Sequence, residues 1–135
     1  TVVVSDNRGR SGASRVVGDI TAQIVAQAGD DGEQLIVDVL MIAVMSSVAR
    51  KGLGTKLLSA IESITKQLAS SRSSAGAVIY TQADAGQIAS GFWKRNGFVD
   101  SAEASWLTTA LHTWWPERHH HYEGITSMLR PVAVA

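Results

Sequence analysis

The sequence contains no cysteine, and this absence removes several kinds of chemistry at once. Disulfide bridges, thiolate zinc sites and a cysteine nucleophile are all excluded. The net charge is also zero, because 12 basic side chains balance 12 acidic ones. No overall field therefore favours nucleic acid or an anionic membrane. No apolar run reaches the roughly 18 to 20 residues of a membrane span, and no signal-peptide pattern opens the chain. We expect a soluble, intracellular protein without direct nucleic-acid or membrane contacts.

The length of 135 residues fits a single domain, 1–135, with a hydrophobic core. The chain starts at Thr1 rather than at methionine, and we expect a processed or excised domain.

The first half of the sequence predicts a β-hairpin. Val16–Ala26 is rich in β-branched residues, and Gly29-Asp30-Asp31-Gly32 is a turn signal before the partner strand Leu35–Met45. Apolar residues occupy both faces of the second strand, which is typical of a central strand. Strict alternation would put two sets on opposite faces: Asp38, Leu40, Ile42 and Val44 on one, and Val39, Met41 and Ala43 on the other.

A helix and a parallel strand are predicted next. From Thr55 the apolar residues recur at helical spacing, and Gly76–Thr81 is a short strand that follows this helix. A right-handed βαβ connection would make it parallel to the central strand. Gln87–Arg95 predicts a second helix that ends at Asn96-Gly97, and Ile125–Val132 predicts a last strand.

The turn RKGLGT between strand and helix is the strongest functional signal. Gly52 and Gly54 leave the backbone open, so that amide groups at the helix N-terminus can converge on a phosphate or pyrophosphate. The turn lacks both the P-loop ending and the three-glycine dinucleotide pattern. A purely structural turn is the alternative.

Two segments resemble the motifs of one protein family. The run IAVMSSVARKGLGTKLL resembles motif A of the GNAT superfamily of acyl-CoA-dependent N-acyltransferases, and ASGFWKRNGF, Ala89 to Phe98, resembles its motif B. The motifs occur in the family's order, and the resemblance covers roughly residues 16–99.

The resemblance implies a fold and an activity. The fold is α/β, with a mixed, mostly antiparallel sheet, a central parallel βαβ unit and helices on both faces. The family's two acceptor helices after the first strand would be reduced or missing, because little sequence precedes Val16. The activity is transfer of the acetyl group of acetyl-CoA to a primary amine, and a protein lysine or N-terminal amine is favoured as acceptor.

The resemblance also implies a cofactor site. The pyrophosphate would lie on the backbone of the turn, the pantetheine arm would pair with the central strand, and the motif B aromatic would contact the cofactor. The residues concerned are Ala43, Val44, Arg50, Lys51, Gly52, Leu53, Gly54, Thr55 and Trp93. One departure is Ala49, which stands where the motif carries Gln or Arg.

Asp38 is the candidate general base. A carboxylate inside an apolar strand is costly unless it is paired or functional, and burial raises the pKa of such a group. Asp38 stands where histone-type GNAT members carry a glutamate. A structural aspartate that is hydrogen-bonded to a neighbour is the alternative.

The general acid is less well defined, because Trp93 replaces the tyrosine that many family members use and an indole cannot protonate a thiolate. Tyr122 is our candidate, and Tyr80 reads more readily as a packing residue. Solvent can also protonate the weakly basic thiolate.

The segment 105–123 is a Trp/His-rich insertion. His119-His120-His121 could suggest a metal-binding site. Consecutive histidines point in different directions, however, and we predict no metal site. Trp114 and Trp115 are candidates for contacting a substrate or a partner protein.

Two other functions stay open. A catalytically silent GNAT-like scaffold or acyl-CoA sensor in a larger assembly would explain Ala49, Trp93 and the missing acceptor helices. An α/β interaction domain that binds no CoA would require both motif matches to be coincidental.

Overall fold

The computed structural model describes residues 1–6, 15–29, 32–46, 52–100 and 124–134. These residues form one six-stranded sheet and three helices. The elements in chain order are β1 (Val2–Asp6), β2 (Arg15–Gly29), β3 (Gly32–Val44), α1 (Leu53–Ser71), β4 (Gly76–Asp84), α2 (Ala85–Ser90), α3 (Phe92–Arg95), β5 (Val99–Asp100) and β6 (Ile125–Val132).

The strand order across the sheet is β1-β2-β3-β4-β6-β5. Strands β3 and β4 are parallel, and the other neighbouring pairs are antiparallel. The predicted α/β class is therefore confirmed, with a mostly antiparallel sheet and one central parallel βαβ unit. The predicted hairpin is also present, because Gly29 pairs with Gly32 and the ladder continues along both strands.

Helix α1 lies on one face of the sheet because its apolar residues recur at helical spacing. Its buried residues are Leu57, Leu58, Ile61, Thr65 and Ala69. The apolar ones join a core that includes Val37 and Val39 of β3 and Ile79 of β4. The hydroxyl of Thr65 donates to the carbonyl of Ile61 at 2.7 Å, which satisfies a polar group inside this core.

The second predicted helix is divided in two at Gly91. This glycine has φ 72°, a left-handed conformation that ends α2 and starts α3. Gly97, with φ 83°, provides the predicted stop before β5. Trp93 and Phe98 enter the same core as α1.

The three described helices therefore pack on one face, and the described residues include no helix on the other. Only residues 7–14 separate β1 from β2, where the resemblance led us to expect reduced or missing acceptor helices. No helix within the described ranges is long and apolar enough to cross a membrane.

Candidate functional site

A β-bulge in strand β3 opens the centre of the sheet. Met41 pairs with Thr21 and Val39 pairs with Ala22 on β2, so Leu40 is an extra residue in the ladder. Pairing of β3 with β4 ends at Val39 and Thr81, while β4 continues beside β6 as far as Asp84. The two parallel strands therefore separate beyond the bulge. The last five residues of β3, 40–44, present to this opening a backbone edge that is not paired with β4.

The bulge also overturns the strict alternation expected for β3. Leu40 and Met41 are both 49% exposed, although they are consecutive. Ile42 and Val44 pack against the core that contains α1, and Asp38 lies on the opposite face. The prediction that Asp38, Ile42 and Val44 share one face is therefore wrong, because one extra residue reverses the alternation.

The N-terminus of α1 borders this opening. Gly52 caps the helix with φ 75°, in the left-handed region that favours glycine. The first helical hydrogen bond runs from the amide of Lys56 to the carbonyl of Gly52 at 3.0 Å. The amides of Leu53, Gly54 and Thr55 therefore precede the first helical donor. No acidic residue stands in the first turn, so the positive end of the helix dipole is not offset there.

Gly54 lies against the aromatic ring of Phe92. A Cβ atom at position 54 would stand 2.9 Å from Cε2 and 3.1 Å from Cζ of that ring. These distances are shorter than normal carbon contacts, so a Cβ atom would force the ring or the helices to shift, and glycine allows this close approach of α1 and α3. Gly54 thus has a packing function in addition to its place in the turn.

A cavity of about 560 Å³ lies between the end of β3, the start of α1 and α3. A second cavity of about 220 Å³ shares Val44, Gly54 and Phe92 with the first, so the two adjoin. The residues that line the larger cavity are Val44, Gly52, Leu53, Gly54, Thr55, Phe92, Arg95 and Asn96. The smaller is lined by Ile42, Val44, Gly54, Gln87, Ser90, Phe92 and Trp93.

Most of the described cofactor candidates therefore lie together. The exception is Ala43, which is exposed. It lies near the end of β3, where it pairs with Asp19 of β2. The sequence analysis did not single out Phe92 or Arg95 as site residues, although both belong to the FWKRNGF segment. The i, i+3 and i+4 spacing of Phe92, Arg95 and Asn96 places them on one side of α3 and its cap. Which side of α3 borders the cavity depends on how α3 packs against α1, and the spacing alone does not show it.

Trp93 is mainly a core residue. It is 1% exposed, and its ring makes edge contacts with Phe92 and Phe98, with centroids 5.1 and 4.9 Å away. Its indole N–H points to the side-chain oxygen of Gln87 at 3.4 Å. The indole thus forms the back wall of the smaller cavity.

Asp38 lies near the closed end of the opening. It directly precedes Val39, the last β3 residue that pairs with β4, and it is 0% exposed. Its neighbour in register on β4 is Tyr80, whose hydroxyl lies 2.9 Å from Oγ of Ser127. This hydrogen bond and a 2% exposed side chain fit the interpretation of Tyr80 as a packing residue.

Several candidates lie outside the described residues. These are Arg50, Lys51, Tyr122 and the segment 105–123, which contains all four histidines. Within the described ranges, no group of three or more His, Asp or Glu side chains is placed to hold a metal ion.

A splayed parallel strand pair beside a helix N-terminus, on a six-stranded mixed sheet, defines the class of fold. No protein-family model and no curated protein sequence matches the chain. Solved structures do match, and all three described next are acetyltransferases of the GNAT superfamily. The chain has the GNAT fold.

One match is a mutant of the AtaT toxin bound to the C-terminus of the antitoxin AtaR and acetyl-CoA, with a TM-score of 0.57 and 15% identity. NAA60 of Arabidopsis thaliana in complex with acetyl-CoA gives 0.55 and 16%. Naa50 of the same plant, in complex with the bisubstrate analogue CoA-Ac-MVNAL, gives 0.53 and 13%. These matches cover 90%, 92% and 85% of this chain, and 62%, 69% and 65% of those chains. This chain thus spans less than two thirds of AtaT and Naa50.

Proposed function

We propose that the chain is an N-acetyltransferase that moves the acetyl group of acetyl-CoA to a primary amine. The observation that carries the proposal is the opening between β3 and β4, which lies beside the free amides of α1 with one cavity between them. An extended thioester with a charged pyrophosphate needs both features. An intracellular location belongs to the same proposal, because acetyl-CoA is the cosubstrate.

The proposed binding mode uses mainly backbone groups. The amides of Gly52, Leu53, Gly54 and Thr55 hold the pyrophosphate, and Arg50 and Lys51 add charge-assisted contacts. The pantetheine arm pairs along the free edge of β3 beside Ala43 and Val44, as an added strand would. Trp93 closes the site behind it. Backbone recognition explains why so little sequence has to match the family.

The proposed chemistry is a direct transfer. Asp38 takes a proton from the substrate ammonium, directly or through water, and the free amine attacks the thioester carbonyl. A backbone amide of β3 stabilises the oxyanion. The C–S bond then breaks, and the thiolate leaves as CoA and takes a proton from Tyr122 or from solvent. The products are an N-acetylated amine and free CoA.

A protein lysine or N-terminal amine is the acceptor that we favour. Asp38 stands where histone-type members carry their base, and Naa50, a protein with a similar fold, is bound to CoA-Ac-MVNAL. AtaT is bound to the antitoxin AtaR, and a partner protein for this chain is a further part of the proposal, through the segment 105–123.

The alternative is a catalytically silent module that binds acyl-CoA as a scaffold or sensor. Trp93, which is buried where many members carry the acid, favours it. The described residues also place no helix over the Asp38 face, where an acceptor would need a wall.

Two measurements separate these functions. Calorimetry with acetyl-CoA tests binding first, and no heat at millimolar ligand would remove both CoA-dependent functions. Release of CoA is then measured with lysine peptides, peptides with a free N-terminus and polyamines as acceptors. Turnover that exceeds hydrolysis without an acceptor supports the transferase. Tight binding without such turnover supports the silent module.

A further inference from the structure

The α3 side of the larger cavity carries a cation that the proposed binding mode does not use. Arg95 is the one residue with a formal charge among the described residues that line this cavity. The other polar side chain that α3 and its cap contribute to the cavity lining is Asn96, whose amide donates to the carbonyl of Phe92 at 2.8 Å. Arg95 is therefore the described side chain best suited to meet an anion there.

The side chain of Arg95 is held in place. Its Nη1 donates to the carbonyl of Ser90 at 2.7 Å, which fixes the guanidinium across the Gly91 turn. A guanidinium has five N–H donors, and this bond uses one of them. The ion pairs among the described residues involve Glu33 and Glu62 and do not include Arg95. Its charge is thus not offset by a described carboxylate.

We infer that Arg95 binds the pyrophosphate of the cosubstrate from the α3 side, together with the α1 amides. This inference rests on the proposed function, because it concerns the same cavity. Guanidinium groups bind phosphate oxygens through paired, charge-assisted hydrogen bonds, and such bonds are the stronger ones in proteins. The positive end of the helix dipole and the guanidinium then contact the same pyrophosphate, and together they offset its negative charge.

The test compares two thioesters that differ in a single phosphate. Acetyl-CoA carries the pyrophosphate and a 3′-phosphate, whereas acetyl-dephospho-CoA carries the pyrophosphate alone. We expect Arg95→Gln to raise the Kd of both thioesters by the same factor, roughly tenfold or more, as the loss of a charge-assisted contact implies. Arg95→Lys should recover part of the loss.

Lys94→Gln is the matched control, because Lys94 is the adjacent cation on α3 and is not among the residues lining the cavity. It should leave both Kd values within about twofold, since exposed charges at a distance are screened. Melting temperatures without ligand show whether each variant is folded.

Three results would overturn the inference. In the first, Arg95→Gln binds both thioesters as the wild type does. In the second, it weakens acetyl-CoA alone, which would place the guanidinium on the 3′-phosphate. In the third, Lys94→Gln weakens binding as much as Arg95→Gln does, which would indicate a general effect of positive charge on α3 and no specific contact. If the wild type binds neither thioester, the proposed function itself fails.

Discussion

Asp38 is the one carboxylate in the described part of the chain without exposed surface. Residues 37 and 39 face α1, and Asp38 faces the other side, away from the two cavities. In the proposed mechanism, a base on this face takes the proton of the acceptor, directly or through water, without contacting the pyrophosphate. Cofactor binding and proton transfer should therefore be separable by mutation.

Asp38→Asn tests this separation. We expect kcat to fall by about 10²- to 10⁴-fold, the usual contribution of a general base. The Kd for acetyl-CoA should stay unchanged, because the amide is nearly isosteric with the carboxylate and lies on the other face. Calorimetry gives Kd, and CoA release gives kcat. Asp19→Asn, on the neighbouring strand, is the control. A kcat within threefold of the wild type would show that Asp38 is structural.

The contact between Gly54 and the Phe92 ring can also be tested by single substitutions. Gly54→Ala should lower the free energy of unfolding by about 1 kcal/mol, because overpacking against the ring outweighs the better helix propensity of alanine. In a Phe92→Leu background the blocking ring atoms are absent. The same substitution should then be neutral or stabilising. Urea denaturation of the four variants measures both effects, and equal costs in the two backgrounds would contradict the proposed contact.

At the scale of elements, much of the fold could be predicted from the sequence. The residue pattern predicted the β2–β3 hairpin, the helix after Gly54, and Ile125–Val132 with the bounds that the structure gives. These features depend on local patterns and on turn residues. The parallel strand pair also followed, because a crossover helix leaves little choice of direction.

The bulge in β3 could not be predicted in the same way. Leu40 and Met41 belong to an unbroken apolar run, and apolar residues fit either face of a covered strand. The bulge at Leu40 and the end of β4 pairing at Val39 are tertiary features that an apolar run does not reveal. Arg95 was overlooked for a related reason, since its place in the cavity depends on how α3 packs against α1.

The junction between β3 and the C-terminal end of α1 is tied by an ion pair. Nε and Nη2 of Arg72 donate to the two carboxylate oxygens of Glu33 at 2.6 and 2.8 Å. The Arg72 guanidinium lowers the pKa of Glu33 below its ordinary value of 4.5. Because this pKa is lowered, the ion pair stabilises the fold above about pH 4.5, and this stabilisation is lost as the pH falls through the folded-state pKa of Glu33.

Glu33→Gln should therefore lower the melting temperature at pH 7, and the difference from the wild type should shrink as the pH falls through the folded-state pKa, below which the wild-type carboxyl is also neutral. The effect will be small, because both side chains are exposed to solvent. Arg72→Gln should show the same dependence, and the double variant should show no further loss. A difference between wild type and Glu33→Gln that stays constant as the pH is lowered through the acid range would assign the effect to packing.

At the scale of the whole molecule, Arg130 joins three elements. From β6 it donates to Glu62 on α1 at 2.5 Å and to the carbonyl of Asn96, next to α3, at 2.7 Å. Its guanidinium also lies 5.6 Å from the centroid of the Phe98 ring. The side of the cavity formed by Asn96 is thus held to the sheet through one side chain.

Lys66 provides a matched comparison, because it pairs with the same Glu62 at 3.2 Å across one turn of α1. Its side chain is 50% exposed, against 20% for Arg130. Lys66→Met should change the free energy of unfolding by less than about 0.5 kcal/mol, as for an exposed helical pair. Arg130→Met should cost about 2 kcal/mol or more, because it leaves Glu62 and the Asn96 carbonyl without a half-buried donor.

Urea denaturation of both variants measures these costs, and the Kd for acetyl-CoA shows whether they reach the cavity. We expect Arg130→Met to weaken binding and Lys66→Met to leave it unchanged, since only Arg130 holds the Asn96 carbonyl. Equal losses of stability would show that Arg130 acts as a surface charge. A destabilised Arg130→Met with unaltered Kd would show that the cavity keeps its shape without this link.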